Sequence, residues 1–418
     1  MKIVIKKNGN LLILAYLLGM LVSLFNIKQL QWFDELIEVC SIVYLFYYFC
    51  VSHKRLDKFT NGYVSWLLGL LLFGFLGNLL HYNYSYGIIY ILEDAFLFVK
   101  PFVVFLATYL ALNRQDITSY VFKSIRTISC YLIYLVFLGL VIAYATNSSS
   151  MLSSSDWAPI PQLPFFVFFV GYPASLAATV GVMYLLFLTD LENNKYRVCR
   201  IMCILILFFA QSGMGYGILL LGILVALFKL KKPLKWYSII LIILVLIIAE
   251  WNDLSVYLLS GTAARSVLFI DSFEILKRFF PFGSGFSTYG GAIAGHHYAK
   301  LYIEYGFDRV WGLTPIVDQE NNFLYDTYYP QVFAQLGAIG TVAFVGIFVY
   351  WFKAFNNLRG TQSMRGPLLY GIFSIIIMNT GQGGFGGLYG MVIMVAMAVT
   401  FRIATEEEKK EGYVYNIE

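Results

Sequence analysis

The residues best suited to chemistry concentrate in one long polar segment, 252–330. It holds eight acids and five cations, a net charge of −3. A carboxylate can act as a general base, and a guanidinium can bind phosphate oxygens through two parallel hydrogen bonds. Because the segment is negative overall, an anionic substrate must be held by individually placed cations: Arg265, Lys277, Arg278, Lys300 and Arg309. The same balance predicts that the protein does not bind nucleic acid.

The segment is also rich in aromatic side chains, with 17 among its 79 residues. An aromatic face with a polar tip, such as that of Tyr298, suits stacking on a sugar ring, and it equally suits the headgroup belt of any membrane protein. The adjacent His296 and His297 belong to the residue type that titrates near neutral pH. Neighbouring side chains of a strand or turn point to opposite sides, so we expect only one of the two to reach a substrate.

Other chemistries lack their sequence signals. The chain has no Gly-rich phosphate loop, no dinucleotide-binding fingerprint, no HExxH motif and no His/Cys cluster with metal-ligand spacing. The five cysteines show no CxxC spacing, which argues against a disulfide framework or a zinc site. We therefore expect no cofactor and no metal, and neither ATP hydrolysis nor redox chemistry on the cytoplasmic side.

The elements that position this segment must lie in a membrane. Hydrophobic residues make up 59% of the chain and charged residues 13%, with a mean hydropathy of +0.72. Soluble domains carry about 25% charged residues, and so few charges cannot cover an exterior in water. The composition excludes a soluble enzyme and predicts an all-α bundle of transmembrane helices.

Hydropathy predicts about twelve transmembrane helices, nine before the polar segment and three after it. They are expected near 11–27, 33–51, 62–80, 90–112, 127–146, 166–189, 198–211, 214–229, 236–251, 331–352, 366–380 and 385–402. The chain thus divides into a first helical part over 1–251, an extracytoplasmic loop over 252–330, and a last helical part with a cytoplasmic tail over 331–418.

The distribution of cations orients the bundle. Of the 29 Lys and Arg residues, 22 fall on the inner side if the N-terminus is cytoplasmic, and the short outer loops then hold only Lys28 and Lys100. The positive-inside rule favours this orientation, with both termini in the cytoplasm. Charges within the predicted helices are few, and Glu38 is the nearest to mid-membrane. This scarcity argues against a proton-coupled carrier.

Apolar residues at helical spacing over 264–280 predict an amphipathic helix on the outer face. Its expected apolar side consists of Val267, Ile270, Phe273, Leu276 and Phe280. Pro281 and two glycines, Gly283 and Gly285, are expected to end this helix in a tight turn.

Three runs in and after the polar segment resemble Wzy-type polysaccharide polymerases. They are GTAARSVLFIDSFEILKRFFPFGSGFSTYGG (261–291), HHYAKLYIEYG (296–306) and DTYYPQVFAQLGAIG (326–340). The twelve-helix layout, the short paired seventh and eighth helices and the late long loop are similar as well. This family shares a superfamily with the O-antigen ligases, and the resemblance implies a GT-C-like bundle in the bacterial cytoplasmic (inner) membrane.

The resemblance implies a metal-independent glycosyltransferase reaction. Oligosaccharide repeat units on undecaprenyl diphosphate are joined when the growing chain moves from its carrier to the end sugar of a new unit. The product is an O-antigen, capsule or exopolysaccharide. Such a reaction needs a base for the acceptor hydroxyl and cations for the departing diphosphate. The partners implied are the lipid-linked donor and acceptor, the bilayer, a chain-length regulator and a flippase of the same pathway.

The resemblance also implies roles for single residues. Arg265 matches the arginine that opens the family's loop motif and would hold the diphosphate; the alternative is an arginine snorkelling to headgroups. Lys100, beside Pro101, matches a family lysine at the outer mouth of the fourth helix, as a second phosphate contact or an ordinary interface lysine. Asp326 stands eleven residues before Gly337, where the ligases carry a His-Asn pair, and would be the base.

Several alternatives stay open. Glu320 stands in a similar motif at another spacing and is the rival base, and Asp326 could instead cap a helix. The superfamily often carries an arginine between the seventh and eighth helices, where this chain has the run QSGMG (211–215); Lys100 or Arg278 would then complete the phosphate clamp. A ligase would usually show His at position 326. A flippase or transporter would show charges that line a cavity within the helices.

Overall fold

A computed structural model describes most of the chain. The described residues are 2–30, 32–52, 56–112, 114–154, 160, 162–191, 194–230, 232–249, 251, 255, 261, 263–315, 323–324, 326, 328–358, 362–381 and 384–410. The protein is about 79% helical with almost no sheet, which confirms the all-α class.

The helices follow the hydropathy pattern closely. They are α1 Lys2–Phe25, α2 Phe33–Phe46, α3 Lys58–Leu80, α4 Ile88–Ala111, α5 Gln115–Thr146, α6 Pro173–Leu188, α7 Arg197–Ala210, α8 Gly213–Phe228, α9 Trp236–Ala249, α10 Ala264–Arg278, α11 Ala292–His296, α12 Lys300–Glu304, α13 Tyr328–Asn356, α14 Gln362–Gly381 and α15 Leu388–Lys410. A two-residue hairpin of β1 (Leu152–Ser153) and β2 (Phe165–Phe166) lies between α5 and α6.

Each predicted transmembrane segment overlaps one of these helices. Within the described ranges, α3, α5, α13 and α15 are long and apolar enough to cross a membrane, and Gly9–Phe25, α6 and α8 are shorter apolar helices. The protein is therefore an all-α membrane protein, whereas the count of twelve crossings stays a prediction.

The centre of the bundle is formed by α4, α13 and α15. Almost the whole of α15 is buried, and α13 packs along α3. Aromatic rings fill the space between them, with Phe102 close to Trp351 and Phe385. Large apolar side chains such as Leu72 and Tyr131 stay exposed on the outside of the bundle, as lipid-facing side chains do.

The polar segment forms a small helical unit with its own apolar core. We call residues 263–315 the cap. Its core comprises Leu268, Ile275, Phe279, Tyr289, Ala294, Leu301, Tyr302, Phe307 and Leu313. The predicted helix over 264–280 is confirmed as α10, and the glycine-rich turn follows it as expected.

The core of the cap packs against a different side of α10 from the predicted apolar side. Buried positions are Ala264, Leu268, Ser272, Ile275 and Phe279, whereas Ile270, Phe273 and Phe280 are exposed by 42%, 45% and 68%. The reason is that the cap packs its own core against α10, so the strongest apolar stripe is left outside. An exposed apolar stripe of this kind suits contact with a lipid interface or an apolar ligand.

The cap joins the bundle at a break in α13. Gly337 has φ +62° and ψ −163°, which interrupts the helix after Leu336. The carbonyls of Ala334 and Gln335, freed by this break, accept hydrogen bonds from the amides of Ser284 and Gly285, both at 2.9 Å. The break is tolerated because other backbone groups satisfy the carbonyls that it frees. We call the contact between the turn at 283–285 and the break at 334–337 the seam.

Two buried polar side chains fasten the same turn to α3 and α4. The Asn78 amide donates to the Phe286 carbonyl at 2.9 Å and accepts from the Phe286 amide at 2.8 Å. Asp94 Oδ2 accepts from the Ser287 amide at 2.7 Å. These bonds replace water around a buried loop, and so hold the cap in one position on the bundle.

Candidate functional site

The structure brings together the two residues that the sequence analysis proposed for chemistry. Arg265 Nε donates to Asp326 Oδ2 at 2.9 Å, and Arg265 Nη2 donates to the same oxygen. Their side chains are 24% and 26% exposed. The pair is therefore reachable from outside, although it is partly shielded from water.

Local packing explains why Asp326 projects towards α10. Leu324, two residues before it, is buried in the cap core, and Tyr328, two residues after it, is buried against Phe98 with ring centroids 5.3 Å apart. The Asp326 amide donates to the Phe323 carbonyl at 3.1 Å, which closes a turn. Its carboxylate binds Arg265, and it caps no helix within the part of the chain that the structure describes.

An aromatic strip runs from this pair along α10 and α13. Phe269 and Phe273 follow Arg265 at spacings of four and eight, which places them on one face of α10. Phe273 stacks on Phe333 with centroids 5.1 Å apart, and Phe333 stacks on Tyr329 at 6.4 Å. The pair thus lies at one end of a half-exposed apolar surface, an arrangement that fits a molecule with an anionic head and an apolar chain.

Arg278 lies at the other end of α10. It stands thirteen positions after Arg265 in the helix, about 20 Å away at 1.5 Å per residue. It binds Glu304 and the Tyr84 hydroxyl, both at 2.8 Å, and the hydrogen bond to Glu304 raises the pKa of its guanidinium. The structure does not bring Arg278 to the Arg265–Asp326 pair, so these two arginines do not form one clamp.

Lys100 is buried, contrary to the expectation of an accessible lysine at the outer mouth. Its ammonium donates to Asp34 at 2.8 Å and lies 3.9 Å from Glu38, and the residue is 1% exposed. Two carboxylates of α2 thus already neutralise it, which disfavours a phosphate contact. Sequence reasoning missed this cluster because residues of two helices form it, although Asp34 and Glu38 at a spacing of four were a signal.

Two neighbouring residues of the cap, His297 and Tyr298, lie against the start of α4. His296 is exposed at the end of α11, and the ring of His297 lies 4.1 Å from that of Tyr90. The Tyr298 carbonyl accepts from the Tyr86 hydroxyl at 3.0 Å, and burial raises the pKa of Tyr298 to about 12. Glu320, the rival base, falls outside the described residues. Among those described, no group of three or more His, Cys, Asp or Glu side chains could hold a metal ion.

The position where the superfamily often carries an arginine has a structural role here. Gln211, between α7 and α8, adopts a left-handed conformation with φ +49°. Its side chain accepts from the Ile160 amide at 3.1 Å and donates to the Leu163 carbonyl at 2.8 Å. It thereby holds the connection between α5 and α6 against the end of α7.

The fold and the site define a class: an all-α membrane protein with a packed cap, in which Arg265 of the cap pairs with Asp326. Neither the comparison with protein-family models nor the comparison with curated proteins finds a match for the chain. The function is therefore argued from the site.

Proposed function

We propose that this protein is a polysaccharide polymerase that joins lipid-diphosphate-linked oligosaccharide units, as its resemblance to Wzy-type polymerases implies. The observation that carries the proposal is the Arg265–Asp326 pair at the end of the aromatic strip. A cation and a carboxylate beside an apolar surface match the three parts of such a substrate: the diphosphate, the acceptor hydroxyl and the polyprenyl chain. The reaction takes place at the outer face of a bacterial cytoplasmic membrane, with both termini in the cytoplasm.

In the proposed reaction the ion pair opens when substrate binds. The diphosphate replaces Asp326 on the guanidinium of Arg265, which offers several N–H donors to phosphate oxygens. Separating a pair that is partly exposed costs on the order of 1 kcal/mol, which binding of a doubly charged group can offset. The carboxylate that is released then has free oxygens to act as a base.

Bond formation and cleavage balance within this arrangement. The acceptor hydroxyl loses its proton to Asp326, and its oxygen forms a bond to the anomeric carbon of the donor sugar. The bond between that carbon and the diphosphate oxygen breaks, and undecaprenyl diphosphate leaves with the electron pair. Arg265 stabilises the charge that develops on the leaving oxygen.

A complementation experiment tests this proposal. In cells that lack the gene, Asp326→Asn and Arg265→Ala are expected to leave single repeat units on carrier lipid at the outer face and to give no long chains. Arg278→Ala, the same substitution on the same helix, is the control and should reduce the yield less. If both site variants still make full-length polysaccharide, the proposed site is wrong.

A charge exchange separates catalysis from structure. The double variant Arg265→Asp, Asp326→Arg keeps one cation and one carboxylate in contact, so an ion pair that only stabilises the fold would be restored. Under the proposal, the double variant folds but stays inactive, because the carboxylate then stands where the diphosphate must bind and the guanidinium stands where the base must act. Activity restored to half of wild type or more would assign the pair a structural role.

Two other functions give different outcomes in the same cells. A ligase of the same superfamily would leave complete chains on the carrier when it is inactive. A flippase is favoured by one observation, the buried cluster of Lys100, Asp34 and Glu38 within the helices. If the protein were a flippase, loss of its activity would leave single lipid-linked repeat units on the cytoplasmic face of the membrane. The chain-length regulator and the separate flippase belong to the polymerase proposal as partners.

A further inference from the structure

The connection between α8 and α9 forms a basic pocket. A cavity of about 540 Å³ opens between the end of α8 and the start of α9. Three lysines line it, Lys229, Lys232 and Lys235, and all three are exposed. We call this cavity the lysine pocket.

Contacts with α13 place the lysine pocket at the end of the bundle opposite the cap. The Asn356 side chain accepts from the Leu234 amide at 2.7 Å and donates to the Leu234 carbonyl at 3.0 Å. Asn356 is the last residue of α13, nineteen positions after the break at Gly337. At 1.5 Å per residue this is about 28 Å, close to the thickness of the hydrocarbon core of a bilayer. Since the cap lies at one surface of the bilayer, the lysine pocket lies at the other.

The backbone of the lysine pocket is held in one shape. Lys229 and Leu230 both have a positive φ, +49° and +20°, so the chain reverses sharply at the end of α8. The Lys229 amide donates to the Val225 carbonyl at 3.0 Å, and Arg365 Nη1 lies 3.5 Å from the Leu230 carbonyl oxygen. Together with Asn356, these contacts fix the connection to α13 and α14. The backbone therefore needs no ordering when a ligand binds.

The charges around the lysine pocket favour an anion. None of its three lysines forms an ion pair with a residue that the structure describes. No Asp or Glu occurs in the sequence between Glu192 and Glu250. Other cations at this end of the bundle are neutralised by carboxylates, in the pairs Arg114–Asp116, Arg126–Asp190 and Arg402–Glu406. Cations brought together without acids repel one another, and an anion bound between them removes that repulsion.

Exposed apolar side chains border the lysine pocket. Leu227 and Phe228, the last two residues of α8, line the cavity and are 71% and 70% exposed. Tyr237, at the start of α9, is exposed as well, and its ring centroid lies 5.7 Å from the Lys235 ammonium. Tyrosine is enriched where headgroups meet hydrocarbon. A soluble phosphate would leave these apolar surfaces uncovered, whereas the acyl chains of a phospholipid would cover them.

We propose that the lysine pocket binds the headgroup of an anionic phospholipid, whose acyl chains lie along the exposed ends of α8 and α9. Lys229, Lys232 and Lys235 hold the phosphate through their ammonium groups, which are charged hydrogen-bond donors. A headgroup with two phosphates, as in cardiolipin, balances more of this charge than phosphatidylglycerol, which carries one. Binding of the lipid is independent of the Arg265–Asp326 pair and of the proposed function.

Native mass spectrometry of the full chain in a non-ionic detergent measures this binding one lipid at a time. The probes are phosphatidylglycerol, cardiolipin and phosphatidylcholine with the same acyl chains. The first phosphatidylglycerol is expected to bind about 100-fold more tightly than phosphatidylcholine, because each of three lysines contributes a factor of about five, or about 1 kcal/mol. Cardiolipin should bind more tightly still. The triple variant Lys229→Gln, Lys232→Gln, Lys235→Gln should lose the preference for phosphatidylglycerol.

A matched triple variant separates a defined site from the charge of the whole surface. Lys58→Gln, Lys123→Gln, Lys410→Gln removes three exposed lysines at the same end of the bundle and changes the net charge equally. It should keep the preference for phosphatidylglycerol. All six positions are exposed, so both triple variants should keep the thermal midpoint of the wild type.

Conservative replacement and a soluble competitor complete the test. Lys229→Arg, Lys232→Arg, Lys235→Arg keeps three cations and should bind phosphatidylglycerol as the wild type does. Glycerol 1-phosphate in millimolar excess should not displace the bound lipid. Displacement would show that the pocket holds a phosphate group alone, and the assignment to a lipid would be wrong. If the wild type does not prefer phosphatidylglycerol, or if the two Gln triple variants bind it equally, the lysine pocket is not a lipid site.

Discussion

The close approach of two glycines at the seam gives the sharpest quantitative prediction. A Cβ added to Gly283 would lie 2.3 Å from the Gly337 nitrogen and 2.5 Å from the Gln335 carbonyl oxygen, whereas ordinary contacts begin at 3.4 Å. Both neighbours are backbone atoms, so the cap and α13 must separate by about 1 Å. Gly283→Ala therefore opens the seam itself.

The cost can be worked out from the structure. Gly283 has φ +79°, where alanine costs about 1 kcal/mol more than glycine. A separation of about 1 Å also breaks the hydrogen bonds from the Ser284 and Gly285 amides, each worth about 1 kcal/mol. We expect a local destabilisation of about 3 kcal/mol, equivalent to roughly 10²-fold faster exchange of the amide hydrogens at the seam.

Hydrogen exchange of the full chain in nanodiscs, followed by mass spectrometry, measures this effect in peptides that cover residues 283–289. Gly306→Ala is the matched control, because Gly306 has a similar φ of +71° and no atom within 4 Å of an added Cβ. It should cost only the backbone strain and leave exchange at the seam unchanged. If Gly283→Ala exchanges no faster there than Gly306→Ala, the reasoning about the seam is refuted.

Three further perturbations test other parts of the structure. Asn78→Ala removes both hydrogen bonds to the Phe286 backbone. It should lower the local stability there by about 2 kcal/mol and so speed hydrogen exchange at the Phe286 amide; an unchanged exchange rate would show that these bonds do not hold the turn. Burial raises the pKa of Asp271 to about 6, so the stability it contributes is complete below pH 3.8 and is lost as the pH rises through 6. Asp271→Asn should thus raise the thermal midpoint at pH 8 and not at pH 3.5. An equal effect at both pH values would show that burial does not raise the pKa of Asp271. Lys100→Met leaves Asp34 unpaired and should destabilise the bundle by about 3 kcal/mol or more in thermal denaturation, whereas a neutral effect would show that the ion pair is not formed.

The helices could be predicted from the sequence because lipid imposes a simple rule on it. Long apolar runs such as 62–80 have no alternative to a helix in a membrane, and α3 at Lys58–Leu80 follows that run closely. The helix over 264–280 was also predictable from its spacing. The packing of Leu268 and Ile275 into the core of the cap was not predictable, because the pattern of a single helix does not contain the partners of that core.

Long-range contacts account for what the sequence left open. Arg265 and Asp326 were chosen for separate reasons, and they are 61 positions apart in the chain, so no spacing rule could predict their ion pair. The break at Gly337 likewise depends on Gly283 approaching from the cap. The surroundings of Lys100 were misjudged because it was expected at the outer mouth of the fourth helix, whereas it lies in the interior of α4, where the packing of α2 brings Asp34 to it.

The aromatic strip gives the proposed reaction a direction. It leads from Arg265 along the exposed face of α10, so a carrier lipid would reach the pair from that side. A donor diphosphate held by Arg265 would then place its anomeric carbon next to Asp326, where the acceptor hydroxyl must also lie. A base needs this geometry to take a proton from one substrate while the other loses its leaving group.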